Sequence, residues 1–200
     1  MPLHLQRLQD EYFGFIERYN QGEGICVGIS MVWIERKIEG AERIDSPVDD
    51  DLGLKKATLY QRNSLAACAG KSHVKRLEWL GRKLDEAYGD INIEVKESKS
   101  KVFSSSKNNE NVKNKMKNYL ADKGKDIAFI LFFDSLTMDG HAIAVFQPAG
   151  GAACYVYDPN VGVYLWRSGG RDLCDELEEH FLLEEQVKYF ISAGLFVKSW

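Results

Sequence analysis

Apolar residues recur every three or four positions through much of the first half of this chain, and every two positions or continuously in the second half. In residues 3–19, Leu5, Leu8, Tyr12, Phe15, Ile16 and Tyr19 follow the longer step, which lines one face of an amphipathic helix. Asn20-Gln21-Gly22-Glu23-Gly24 breaks that helix. Residues 25–34 are apolar nearly all round. Ile25, Val27, Ile29, Met31 and Trp33 alternate as a strand would, whereas uniform apolarity also suits a buried helix, so periodicity leaves both readings open. A polar connection with Pro47 and Asp49-Asp50-Asp51 follows, and then two helical stretches at about 52–69 and 72–88. The second carries Val74, Leu77, Leu80, Leu84 and Tyr88 on one face.

The pattern then changes. Ile91, Ile93 and Val95 alternate with polar residues and predict a short strand. Residues 97–112 are rich in Ser, Lys and Asn and predict an exposed, mobile loop; 113–121 predict a short helix. The unbroken apolar run 127–133 predicts a strand buried on both faces. Further strands are predicted at 141–146, 154–158 and 161–166, with turn chemistry at Met138-Asp139-Gly140 and Pro159-Asn160-Val161-Gly162. Connections this short join antiparallel neighbours. A helix near 171–187 and a strand near 195–200 complete the pattern. Helices first and strands afterwards describe an α+β fold. No repeat or boundary divides the 200 residues, so a single domain over 1–200 is expected.

Composition narrows the function. A hydrophobic fraction of 44% and a charged fraction of 28% are those of a soluble globular chain. The net charge of −4 speaks against a nucleic-acid binder, since such domains are usually basic. No apolar run reaches the roughly 20 residues that span a bilayer. The first residues lack the order of a secretory signal, and Pro2 excludes amino-terminal myristoylation of the chain as written. Residues 99–125 hold eight Lys against Glu110 and Asp122. We read them as a solvated face, the alternative being a patch that steers an acidic partner or touches anionic lipid. Cys26, Cys68, Cys154 and Cys174 form no Cys-x-x-Cys pair and match no zinc spacing, so reduced thiols are expected, with no metal and no organic cofactor. Nothing in the pattern fixes an oligomeric state.

Three residues suggest chemistry. Thiol catalysis needs a thiolate near neutral pH, which a helix amino terminus or a nearby imidazolium provides. Cys26 follows the turn Gly22-Glu23-Gly24; if its segment is a helix, the sulfur lies in the first turn, among unpaired N–H groups. Gly24 and Gly28 would leave room for a substrate backbone beside it. His141 opens one predicted strand and Asp158 ends the next. In an antiparallel pair those two ends meet, which lets Asp158 orient the imidazole.

The segment Gly24-Ile25-Cys26-Val27-Gly28-Ile29-Ser30-Met31-Val32-Trp33-Ile34 resembles the Gly-x-Cys-x-Gly-Leu-x-x-x-Trp nucleophile segment of the YopT-type cysteine proteases, bacterial effectors with a papain-like fold. Gly140-His141-Ala142-Ile143-Ala144 is similar to the His segment of that family, and Tyr157-Asp158-Pro159-Asn160-Val161-Gly162 to its Asp-Pro-Asn segment. Ile29 departs from the commoner Leu. The resemblance spans about residues 20–166, with identity concentrated in the three motifs. It implies that residues 25–34 form the central nucleophile helix, with Cys26 as nucleophile, His141 as base and Asp158 as its orienting group. It further implies an oxyanion hole from the Cys26 backbone N–H and an upstream side-chain amide, Gln21 or, failing that, Asn20. The implied activity is endopeptidase cleavage of a host or competitor protein by an effector or toxin delivered to a target cytosol without a Sec signal. The same acyl-thiol chemistry also serves deamidases and acyltransferases, and an inactive protein-binding module is the reading from a different class. Cys68, Cys154 and Cys174 are read as structural, and His4, His73 and His180 receive no role. Trp33 is read as core. Tyr155, Tyr157, Tyr164 and Trp166 either line the cleft or pack the sheet.

Overall fold

A computed structural model describes residues 5–7, 25–40, 51–69, 73–89, 91–97, 110–134, 141–151, 153–160, 162–167, 173, 175–177 and 190–198. Helices α1 (Cys26–Ile38), α2 (Asp51–Ala67), α3 (His73–Tyr88) and α4 (Glu110–Ala121) accompany strands β1 (Leu5–Arg7), β2 (Asn92–Glu97), β3 (Ile127–Asp134), β4 (His141–Gln147), β5 (Ala153–Asp158), β6 (Gly162–Arg167) and β7 (Phe190–Lys198). The strands form one sheet in the order β1-β6-β5-β4-β3-β7-β2. Every pairing is antiparallel. This is the α+β arrangement that the pattern predicts.

The sheet separates two cores. Ala128, Ile130 and Phe132 of β3, with Ala142, Ala144 and Phe146 of β4, face the side of α1, α2 and α3. Ile127, Phe129, Leu131 and Phe133, with Ile143 and Val145, face α4, Leu173 and Leu177. Both faces are therefore covered, which is why 127–133 lacks the alternation of a half-exposed strand. The small Ala142 and Ala144 sit where α1 crosses the sheet, and their size lets the helix come close.

Residues 25–34 are helical. Val27 through Glu35 are all buried in α1, so the segment is apolar all round because α2 packs on one side of it and the sheet on the other. The predicted helix over 3–19 is corrected at the three of its residues the structure describes. Leu5–Arg7 form a strand paired with Tyr164–Trp166 along the outer edge of β6. Covering an open sheet edge is a tertiary gain that outweighs local helical spacing. The rest of 3–19 lies outside the described residues. So does most of the predicted loop 97–112, and of the helix expected near 171–187 only residues 173 and 175–177 are described, all helical.

Candidate active site

Cys26 is the first residue of α1. Ile25 caps the helix without a side-chain hydrogen bond, and the first turn contains no acidic residue. The positive end of the helix dipole therefore acts on the sulfur without competition from a carboxylate. Cys26 is partly exposed, while the residues after it are buried. The helix start keeps some exposure, and Val27 through Glu35 are fixed in the core.

His141 is the first residue of β4 and 9% exposed; Asp158 is the last of β5 and 2% exposed. The β4–β5 ladder stops at Ala144 opposite Tyr157. Asp158 then reaches back diagonally to His141, and Nε2 lies 2.9 Å from Oδ1. The same Oδ1 accepts the backbone N–H of Asn160 at 2.8 Å. Between them Pro159 has no N–H to offer and a fixed φ, so the Asx turn holds the carboxylate in place. Gly162 closes the hairpin with φ of 116°, a left-handed value that favours glycine.

With Nε2 committed to Asp158, Nδ1 is the nitrogen left for Cys26, and the thiol and the ring act on each other's protonation. Burial alone would lower the His141 pKa, but the adjacent Asp158 charge and hydrogen bond, followed by those of Cys26, push it up to about 10. Burial alone would raise the Cys26 thiol; His141, the Ala142 backbone and Arg76 together bring it below its ordinary value. The pair thus favours thiolate and imidazolium, the charged forms used in thiol acyl transfer.

Two contacts fix α1 relative to the strands that carry His141 and Asp158. Ser30 donates its hydroxyl to the Ala142 carbonyl at 3.4 Å. Trp33 stacks on Tyr157, with ring centroids 5.3 Å apart and planes inclined by 14°. Trp33 is core, as read. Tyr157, Tyr164 and Trp166 are buried sheet residues, and Tyr155 is half-buried.

Gly28 requires a correction. A Cβ built on it would lie 1.9 Å from the Ala57 carbonyl oxygen of α2. Its missing side chain makes room for α2, not for substrate. Its N–H also donates to Gln61 Oε1 at 3.2 Å. Gly24, and the oxyanion candidates Gln21 and Asn20, lie outside the described residues, as do His4, His180, Cys174 and the lysines from 99 to 107. Cys68 and Cys154 are free and buried. No group of His, Cys, Asp or Glu among the described residues could hold a metal ion.

Sequence reasoning passed over Ser30 and Arg76. Arg76 stands four residues before Leu80 and eight before Leu84, on the apolar face of α3, yet it is 9% exposed. A charged residue on a buried stripe was the available signal.

The sequence profile described as Yersinia/Haemophilus virulence surface antigen, Peptidase C58, matches residues 10–171. No curated protein sequence matches significantly. The crystal structure of the Pseudomonas avirulence protein AvrPphB is similar over 88% of this chain and 92% of its own, with a TM-score of 0.54 and 18% identity. That likeness shows the papain-like fold.

Proposed function

This chain belongs to the Yersinia/Haemophilus virulence surface antigen family of cysteine proteases, and from that premise we propose that Cys26, His141 and Asp158 cleave a peptide bond in a protein of another cell. Cys26 thiolate attacks the scissile carbonyl carbon. The oxygen that gains negative charge is held by the Cys26 backbone N–H and an amide upstream, Gln21 or Asn20. His141 imidazolium then protonates the leaving nitrogen, the C–N bond breaks, and a thioester remains on Cys26. Water attacks the thioester, His141 takes its proton, and the C–S bond breaks to release the acid and restore the thiolate. Asp158 keeps Nδ1 aimed at the sulfur throughout and stabilises the imidazolium.

The observation that carries this reading is the buried His141–Asp158 hydrogen bond of 2.9 Å, beside a thiol at the first residue of α1 whose protonation responds to the His141 ring. A sheet that runs from β1 at one end of the chain to β7 near the other supports a single domain over 1–200. No helix among the described residues is long and apolar enough to cross a membrane. We place the protein's work in the cytosol of a target cell, with a protein as its substrate.

The test compares wild type with Cys26→Ala in a eukaryotic and a bacterial lysate, with new amino termini read by mass spectrometry. Wild type produces termini that Cys26→Ala does not. Identical sets from the two proteins would overturn the protease reading. A mass gain of about one dalton on an intact chain would point instead to deamidation through the same thiol.

A further inference from the structure

Arg76 carries a charge that its surroundings leave without an obvious partner. It is 9% exposed. Nε donates to the Ser64 hydroxyl at 2.9 Å, and the guanidinium lies over the Phe132 ring at 5.7 Å. Its Nη2 is buried and meets no acceptor among the described residues. A buried cation is normally compensated by a carboxylate, and no carboxylate among the described residues pairs with Arg76. Burial pushes the Arg76 pKa down, and the groups that oppose this are two cysteines, Cys26 at the start of α1 and Cys68 just beyond α2. In the other direction, the charged or titratable groups that act on Cys26 are His141 from β4 and Arg76 from α3.

The tether of Arg76 leads to the same helix end. Ser64 accepts from Arg76 and donates its own proton to the Gln61 carbonyl at 3.0 Å. The Gln61 side-chain oxygen accepts the N–H of Gly28 at 3.2 Å. Gly28 is two residues beyond Cys26. One connected series thus runs from α3 through α2 to the first turn of α1.

We propose that Arg76 is a positioning residue for the nucleophile, a guanidinium held by Ser64 whose field favours the Cys26 thiolate. This rests on Cys26 being the nucleophile. It assigns the buried charge a function, where otherwise its desolvation would be uncompensated. His141 exchanges protons with Cys26 during turnover. Arg76 stays charged throughout, because a guanidinium does not titrate in this range.

The experiment uses the full chain and iodoacetamide, an uncharged probe, and follows the alkylation rate of Cys26 by peptide mass mapping between about pH 4 and pH 9. The variants are Arg76→Met, Arg76→Lys and Ser64→Ala, each with its melting temperature. Arg76→Met moves the acid limb of the Cys26 profile upward by roughly half a pH unit or more, less than the one to three units of a directly paired charge. Arg76→Lys keeps the charge and moves the limb less. Ser64→Ala, which frees the guanidinium, moves it in the same direction as Arg76→Met and by a smaller amount. Profiles that coincide with wild type in all folded variants would overturn the proposal, whatever happens to the melting temperature. If Arg76→Met does not fold, Ser64→Ala decides by the same criterion. Selective labelling of Cys26 in wild type with an unmoved limb removes only the role of Arg76. Labelling with no preference for Cys26 removes the nucleophile reading and this one with it.

Discussion

Replacing Gly28 with alanine puts a methyl carbon 1.9 Å from the Ala57 carbonyl oxygen, 2.8 Å from the Ala57 carbonyl carbon and 3.2 Å from the Gln61 nitrogen. Real Cβ contacts essentially never fall below 3.0 Å, so α1 and α2 must separate by about 1.1 Å at this point, in an interior already packed to crystal density. The obstacle is backbone, and no side-chain rotation relieves it. α1 also has the sheet on its other face, with Ser30 and Trp33 anchored there. Overpacking of this kind costs about 1–3 kcal/mol, and a backbone clash belongs at the upper end. For a chain of this length that lowers the melting temperature by roughly 6–12 °C. The displaced helix start also carries Cys26 away from His141, so kcat/KM falls along with stability. Differential scanning calorimetry and the Cys26 alkylation rate measure the two effects. An alanine variant with unchanged melting temperature that only raises KM would refute the packing argument and restore a substrate-side role for Gly28.

The remaining predictions concern the charge and geometry around His141. Asp158→Asn keeps an acceptor for Nε2 but removes the charge that raises the His141 pKa to about 10, so the alkaline limb of the pH–rate profile moves down by about 1–3 units; an unmoved limb contradicts this. In wild type the His141 contribution to stability is full below the ordinary value of 6.5 and is lost as pH rises through about 10. Melting temperatures taken across that window should therefore fall more steeply in wild type than in Asp158→Asn. Ser30→Ala removes the 3.4 Å bond to the Ala142 carbonyl, costing about 1 kcal/mol, seen as a melting temperature lower by about 2–4 °C and slower alkylation of Cys26.

The elements whose partners lie close in sequence were the most legible. His141 and Asp158 sit at strand ends joined by a short connection, and turn chemistry around Pro159 marks the place, so their meeting followed from antiparallel pairing alone. The diagonal reach of Asp158 past the last paired residue did not follow, because register depends on where β5 stops pairing. Residues 25–34 were undecidable by period, since a helix buried on every side has no polar face to reveal its spacing. Leu5–Arg7 were misread because their partner, the edge of β6, lies about 160 residues away, and a local spacing rule carries no information about it. Gly28 was assigned to the wrong neighbour for a related reason: an absent side chain shows that something approaches, and only the fold shows that the approaching group is Ala57. Arg76 was passed over although it stands on the apolar stripe of α3, and only the packed fold shows it buried.

The most direct test of the central claim is competitive labelling of the folded protein by an epoxide thiol reagent at mildly acidic pH, mapped by mass spectrometry over all four cysteines. The account predicts that Cys26 is modified far faster than Cys68, Cys154 or Cys174, and that His141→Ala removes its advantage. Comparable rates at all four, or a Cys26 rate indifferent to His141→Ala, would mean that no activated thiolate exists at the start of α1.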